Sequence, residues 1–178
     1  MKMKQYSILA LASIFALASC SEEKGAASSS TSEEDSSLSA LVIKEEPAKA
    51  IDISDLRKTA KAGDLVTFSG DVLGSMNVFM DGRAVMILGD PKKMTACNLI
   101  PGDECETPWD VCCDDPDVIK ASIVTVQAVD EAGKPLKEGF KGIGGMKELS
   151  SLVVTGEVAK GSTDSNMLVN ATGIFVKK

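Results

Sequence analysis

Four cysteines crowded into 17 residues are the side chains of this chain with the clearest capacity for chemistry. Thiols at this density can form disulfides, coordinate a metal ion or exchange electrons. Seven residues separate the first cysteine from the second, six separate the second from the third, and the third and fourth are adjacent. These spacings do not match the Cys-x2-Cys pairs of structural zinc sites. The chain also has no Cys-x-x-Cys motif, which is the spacing that favours thiol exchange. The choice therefore depends on the compartment in which these residues lie: Cys97, Cys105, Cys112 and Cys113.

The N-terminus indicates that compartment. Lys2 and Lys4 precede an apolar run over residues 6–17, which is the layout of an export signal and is too short for a bilayer that needs roughly 20 residues. The run ends in Leu17-Ala18-Ser19-Cys20, which resembles a bacterial lipobox. The resemblance implies that residues 1–19 are a signal peptide that is removed and that Cys20 carries lipid. A lipid-anchored, extracytoplasmic protein is expected.

The residue after the lipobox is Ser21, and by analogy with lipoproteins that lack an acidic residue there, the expected membrane is the outer one. An exported chain meets oxidising conditions, so two disulfides are predicted. A bond between adjacent Cys112 and Cys113 needs a strained ring, and each is expected to reach back to Cys97 or Cys105. Which of them each reaches stays open. One such bridge would stabilise the fold by about 3 kcal/mol.

The composition after residue 20 limits the possible partners. The remaining 158 residues fit one domain with a tether, and 17 basic against 26 acidic side chains give a net charge of −9. Nucleic-acid affinity depends mainly on lysine and arginine at phosphates, so nucleic acid is not expected as a partner. Residues 20–50, rich in serine and glutamate, predict a disordered tether after the lipidated N-terminus. Leu41-Val42-Ile43 within it is either a linker patch or a partner-binding segment.

The folded domain is predicted over residues 51–178. Ile53, Leu56 and Ala60 are spaced as on one face of a helix, with Ser54 as its cap and Gly63 just past its end. Five β-rich runs follow, with alternating burial clearest in the first, although Ile174 interrupts the alternation in the last. The predicted strands are Leu65–Leu73, Arg83–Leu88, Ser122–Val129, Leu152–Val158 and Met167–Val176.

Their order, with a short helix predicted at Met146–Ser150, resembles the OB-fold barrel of the anticodon-binding and helicase type. The resemblance rests on Val66 to Val72 and on Leu152 to Val158, in which Gly70 and Gly156 are expected to ease strand curvature. It implies a mainly β, five-stranded barrel with one or two short helices. Strands two and three contain no aromatic residue for base stacking, so the family's nucleic-acid ligand does not carry over.

Between the second and third strands lies an insertion, residues 89–117, with no secondary structure predicted for it. Trp109 is expected to cover the disulfides as a local core or, with Asp110, to contact a ligand. The string from Thr107 to Cys113 resembles one found in small predicted secreted OB-like bacterial proteins of unknown role. The insertion is also acidic, and its carboxylates form either a solvated surface or a calcium site.

No catalytic residue and no cofactor are predicted, because the chain has no histidine, no Gly-x-Ser-x-Gly and no phosphate-binding loop. The expected function is a non-catalytic binding or assembly module, held at the membrane through Cys20 and presenting its acidic insertion to a protein or glycan. Two alternatives stay open. One is a divalent-metal-binding lipoprotein, with zinc on thiolates or calcium on carboxylates. The other is a small hydrolase that uses two carboxylates.

Overall fold

The computed structural model describes residues 37–178. The strands are β1 (Ile51–Asp52), β2 (Leu65–Asp71), β3 (Val85–Gly89), β4 (Ile123–Gln127), β5 (Ser151–Val158) and β6 (Leu168–Val176). The helices are α1 (Ile53–Thr59) and α2 (Pro116–Ser122), with single 3-10 turns at Ser39–Leu41, Cys97–Leu99 and Ile143–Gly145. Each of the five predicted strands is present, with ends within two residues of the prediction.

Five of the strands close into a barrel of the OB type. Strand β2 pairs antiparallel with β3 and β5, and β3 pairs antiparallel with β4. Strand β4 runs parallel to β6, which pairs antiparallel with β5 and completes the circle. The short β1 adds a parallel pair beside β2. The predicted mainly β, five-stranded OB-like barrel is therefore confirmed.

The predicted alternation in β2 is confirmed, since Phe68 is fully buried and Val72 continues the same face just past the strand. The irregularity in β6 has a structural cause. The pairing shifts between Thr155 and Gly156, so that Thr172 is left without a partner as a bulge. A bulge shifts the alternation by one residue, and Ile174 therefore points into the core with 0% exposure.

Helix α1 packs into the barrel core through Ile53 and Leu56, both fully buried. The prediction that Ser54 caps this helix is wrong, because Ser54 lies inside it and the residue at the cap position is Asp52. Gly63 has the predicted left-handed backbone with φ of 92°, but it lies beyond the C-cap Ala60. Its N–H donates to Val158 O at 2.8 Å, so it starts the path into β2.

Two helical predictions need correction. Met146–Ser150 is not a helix, because Leu149 has φ of 64° and its N–H donates to Val72 O at 2.9 Å. The helical turn nearest to this segment is the 3-10 turn Ile143–Gly145, which ends just before Met146. The insertion also has secondary structure of its own, since α2 occupies its end and includes Ser122, which was predicted to begin a strand. Asp115 caps α2 and Pro116 occupies its first turn, a recognisable start signal.

The described part of the predicted tether contacts the barrel. Leu38 is 1% exposed within the main hydrophobic core, and Leu41 and Val42 pack against that core. Ile43 N–H donates to Ile174 O at 2.9 Å. The folded domain thus begins before the predicted boundary at residue 51, and the apolar patch at 41–43 contacts its own barrel.

The signal peptide, Cys20 and the tether up to residue 36 lie outside the described residues. Within residues 37–178, no helix has the length and apolar character needed to span a membrane. Lipid attachment at Cys20 therefore stays a prediction from the sequence.

Candidate functional site in the cysteine insertion

The segment between β3 and β4, residues 90–122, is here called the cysteine insertion. Asp90 fixes its start. One carboxylate oxygen of Asp90 accepts the N–H of Lys92 at 2.9 Å and forms a tight turn. The other accepts the hydroxyl of Ser54 at 2.6 Å and the Ser54 N–H at 3.1 Å. The insertion is thereby fastened to the first turn of α1.

Asp90 is 1% exposed, and burial by itself would raise the pKa of its carboxyl group. The hydrogen bonds from Ser54 and from the Lys92 backbone outweigh burial and lower the pKa below its usual value. Asp90 is therefore ionised at neutral pH, and its hydrogen bonds are charge-assisted. Asp90 was not identified from the sequence, although a polar residue followed by Pro91 at a strand end is a turn signal, and Ser54 was predicted only as a helix cap.

A second hydrophobic cluster holds the middle of the insertion against the barrel. Trp109 is half-buried and packs against both this cluster and the main core. Its indole Nε1 donates to Met76 O at 2.9 Å, and its backbone carbonyl accepts Gly74 N–H at 3.1 Å. Trp109 therefore ties the insertion to the loop after β2. The buried members of the cluster are Leu73, Met94, Ala96 and Val111.

Backbone hydrogen bonds align the two halves of the insertion. Cys97 N–H donates to Asp110 O at 2.9 Å, and Asn98 N–H donates to Pro108 O at 3.0 Å. The Asp110 carboxylate accepts the N–H of Val111 at 2.8 Å and is half-buried. Asp110 therefore has a role in shaping the loop, and its predicted contact with a ligand stays a prediction.

This alignment brings three of the four cysteines together. The sulfur atoms of Cys97, Cys105 and Cys112 all lie within 4.8 Å of one another, and we call these residues the thiol cluster. Cys97 and Cys112 are the closely placed pair, with sulfur atoms 3.8 Å apart. Cys97 is buried, Cys105 is half-buried, and Cys112 is exposed. Cys113 is also exposed and lies outside the cluster.

The four thiols are unbonded in the structure. A disulfide would need the sulfur atoms of Cys97 and Cys112 to approach by about 1.8 Å, to its standard length of about 2.05 Å. The pair is thus close enough for a bond to form with a small rearrangement. The two predicted disulfides stay a prediction, and Cys97 with Cys112 is the pairing that the geometry favours.

The surroundings give the three clustered thiols different acidities. Burial, together with the neighbouring Cys112 thiol, raises the pKa of Cys97 to about 12. Hydrogen bonding to the hydroxyl and backbone of Thr107 lowers the pKa of Cys105. The hydrogen bond with the Cys97 thiol lowers the pKa of Cys112. The Cys113 thiol and burial raise that pKa by more, so the pKa of Cys112 is raised overall. Cys105 is therefore the clustered thiol that becomes a thiolate most readily.

A cavity of about 490 Å³ lies beside the insertion, between α1 and α2. Arg57 crosses it, donating to Ile123 O at 3.0 Å and to Asp164 O at 2.7 Å. The cavity was not foreseen, because the helix that forms one wall was not predicted. Its charged lining residues are Arg57, Lys58, Lys93, Lys120, Asp117 and Asp164.

No family model, no curated protein and no solved structure matches the chain. The fold and the site define an OB-like barrel that carries a cysteine insertion with a converging set of thiols. An OB-type barrel supports many unrelated functions, so the barrel alone does not specify a ligand. The insertion and the surface that it exposes are therefore the features that can specify a ligand.

Proposed function

We propose that this protein is a non-catalytic, extracytoplasmic binding module, anchored to the outer membrane through lipid on Cys20, whose cysteine insertion docks a partner protein. The lipobox sequence and the export signal support the anchor. The OB-like barrel supplies a rigid base, and the insertion supplies the recognition surface.

The observation that carries the proposal is the exposure of two large apolar side chains beside Trp109. Met76 is 60% exposed and Leu99 is 68% exposed. The Met76 carbonyl accepts the indole N–H of Trp109 at 2.9 Å. Asn98, next to Leu99, is hydrogen-bonded to Pro108, next to Trp109. Both apolar residues therefore lie in segments whose backbone is hydrogen-bonded to Trp109 or to its neighbour Pro108, and tryptophan is a residue type enriched in the centres of protein interfaces.

The insertion is fixed before any partner arrives. Asp90 bonds it to α1, a hydrophobic cluster packs it on the barrel, and Trp109 bonds it to the loop after β2. A surface that is already ordered loses little conformational entropy on binding. The insertion can therefore bind a partner at a low cost in conformational entropy.

Charge around the apolar residues indicates the chemistry of the partner. Five acidic residues of the insertion are exposed against three exposed lysines, Lys92, Lys93 and Lys120, and a partner with basic residues around an apolar patch would complement the acidic excess. Methionine and leucine side chains match a protein surface better than a glycan, which presents hydroxyl groups. The exposed acidic residues are Asp103, Glu104, Glu106, Asp115 and Asp117.

The docking surface can be tested with a photo-cross-linking amino acid at position 99 of the full chain, expressed in its native bacterium. A discrete protease-sensitive adduct is expected from position 99 and not from position 131, an exposed site in the loop after β4. Adding Trp109→Ala should reduce the adduct. Equal labelling from both positions, or none from position 99, would refute the docking surface. An adduct that only a glycosidase removes would make the partner a glycan.

Membrane attachment is tested separately with Cys20→Ser. The wild-type chain should incorporate labelled palmitate and fractionate with outer membranes. The variant should lose the label and appear in the soluble extracytoplasmic fraction. A variant that stays in the membrane fraction would show that lipid on Cys20 is not the anchor.

A further inference from the structure

We propose that Cys97, Cys105 and Cys112 form a binding site for one thiophilic d10 metal ion, of the class to which Zn²⁺ and Cu⁺ belong. This site is additional to the docking surface, and it requires neither a partner protein nor the lipid anchor. Among residues 37–178 it is the one place where three or more potential side-chain ligands of metal-binding type converge.

The sulfur geometry supports the assignment. Zinc binds thiolate at about 2.3 Å, so two sulfurs of a tetrahedral zinc site lie about 3.8 Å apart. Cys97 and Cys112 have that separation, 3.8 Å. All three sulfurs are within 4.8 Å of one another, so Cys105 needs to move by no more than about 1 Å to complete the set.

The donor type narrows the ion to a soft one. All three donors are sulfur, and the chain has no histidine to add a nitrogen. Thiolates select zinc and cuprous copper, whereas calcium and magnesium require oxygen ligands. The Asp103 carboxylate lies near Cys97, but among the described residues the set of ligand atoms that all lie within 4.8 Å of one another contains no carboxylate.

The site has an entrance and an open coordination position. Cys97 lies buried at the base of the cluster, whereas Cys112 is exposed, so an ion can arrive from solvent through Cys112. Three sulfurs leave a tetrahedral ion with one free position, which a water molecule or another ligand can fill, in contrast to the closed four-ligand sites that are structural. Cuprous copper needs no fourth ligand in a trigonal site. The bound ion is therefore accessible from solvent through Cys112.

The backbone holds two of the ligands in place before the ion binds. Cys97 is fixed by its N–H bond to Asp110 O, and Cys112 follows Val111, which is 1% exposed in the second hydrophobic cluster. Cys105 is held by contacts of its sulfur with Thr107, at 3.4 Å to the hydroxyl. On binding, each thiol releases its proton to water as its sulfur–metal bond forms, and no electron transfer is involved.

The test uses the exported full-length chain carrying Cys20→Ser, purified without reductant or added metal. Intact mass after alkylation, with and without reductant, first reports the thiol state. Metal binding requires Cys97, Cys105 and Cys112 to be free, in place of the two disulfides that the sequence predicts, and free thiols are therefore the result expected here. If Cys97 and Cys112 are instead joined as a disulfide in the exported chain, the metal site is refuted and the predicted bridge is established.

The same chain is then titrated with Co²⁺ as a spectroscopic probe for the zinc site, and separately with Cu⁺ under competition from a coloured chelator. One equivalent of ion is expected, with sulfur-to-cobalt charge-transfer absorption in the Co²⁺ arm. Competition between Zn²⁺ and Cu⁺ on one sample decides which ion the site prefers.

Cys112→Ser is the principal variant, because this exposed residue can change without disturbing the core. Its affinity should fall at least about tenfold, as should that of Cys105→Ser. Cys113→Ser is the matched control and should keep one equivalent of ion and the absorption band. Absence of binding by the parent chain, or equal losses in Cys112→Ser and Cys113→Ser, would overturn the proposal. Cross-linking from position 99 should persist in Cys112→Ser, so the two proposals fail independently.

Discussion

Asp90 caps a helix that begins 37 residues before it in the chain. Its carboxylate accepts both the hydroxyl of Ser54 at 2.6 Å and the backbone N–H of Ser54 at 3.1 Å, in the first turn of α1. Asp52 occupies the local cap position but makes no side-chain cap bond, and instead binds Lys92 Nζ at 2.9 Å. A residue of the cysteine insertion thus satisfies the helix terminus that the local cap leaves open.

The first prediction concerns this contact. Asp90→Asn should lower the free energy of unfolding by about 1.5–3 kcal/mol, because a buried charge-assisted hydrogen bond is lost. Urea denaturation followed by far-UV circular dichroism measures the change. Asp81→Asn, at an exposed turn position, is the control and should change the stability by less than about 0.5 kcal/mol. Equal effects at the two positions would contradict the capping role.

The second prediction is the pH dependence of the same contact. The folded pKa of Asp90 lies below that of the unfolded chain, about 3.9. Its stabilisation is therefore complete above the unfolded value and is lost as pH falls through the folded value. The difference in unfolding free energy between wild type and Asp90→Asn should narrow from about pH 5 to about pH 2. A difference that stays constant over that range would show that the charge of Asp90 does not stabilise the fold.

The third prediction concerns the bulge in the barrel. A Cβ at Gly156 would overlap the carbonyl oxygen of Asn170 and lie 2.8 Å from a methyl carbon of Val169. Gly156→Ala should therefore destabilise the protein by about 1–3 kcal/mol, since backbone must shift. Gly139→Ala is the control, because a Cβ there meets no atom within 4 Å. Thermal unfolding of both variants is the measurement, and a neutral Gly156→Ala would contradict the pairing register.

The fourth prediction uses Trp109, the single tryptophan of the chain, whose emission reports on the insertion. Because Trp109 packs against both hydrophobic clusters, its emission should shift to longer wavelength in the same urea transition that removes the β-sheet signal. Trp109→Phe should cost about 0.5–1.5 kcal/mol through the lost bond to Met76. A separate, earlier fluorescence transition would mean that the insertion detaches before the barrel unfolds.

The fifth prediction is the order of thiol alkylation in reduced, metal-free Cys20→Ser protein. Cys97 should react last at about pH 8, because it is buried and its pKa is about 12. Thr107→Val should slow Cys105, since the bonds that lower its pKa are weakened. Peptide mass mapping over time measures both. Labelling of Cys97 as fast as that of exposed Cys113 would contradict the burial of Cys97.

The barrel could be predicted from the sequence because strand signals are local. Alternating apolar residues in Leu65–Asp71 identify both a strand and its buried face. Leu149 shows the limit, since its left-handed backbone depends on a hydrogen bond to Val72 across the fold and has no local signal. The helix predicted at 146–150 was wrong for this reason. Helix α2 differs, because Asp115-Pro116 is a local start signal from which this helix can be predicted.

The candidate site could be predicted only in part. Its cysteines are evident in the sequence, but no spacing rule reveals which sulfurs converge. Cys97 and Cys112 meet because Cys97 N–H bonds to Asp110 O and Val111 is buried in a cluster with Leu73. These contacts are non-local, as is the bond between Ser54 and Asp90. Chain folding, rather than sequence spacing, selects the three members of the thiol cluster.

The burial of Leu38 in the barrel core limits how far from the membrane the barrel can lie. With lipid on Cys20, as proposed, only 17 residues separate the lipidated residue from Leu38, the first core residue within residues 37–178. A fully extended chain of that length covers at most about 60 Å. Any protein or ion that meets the cysteine insertion must therefore come within one short chain length, plus the diameter of the barrel, of the lipid surface.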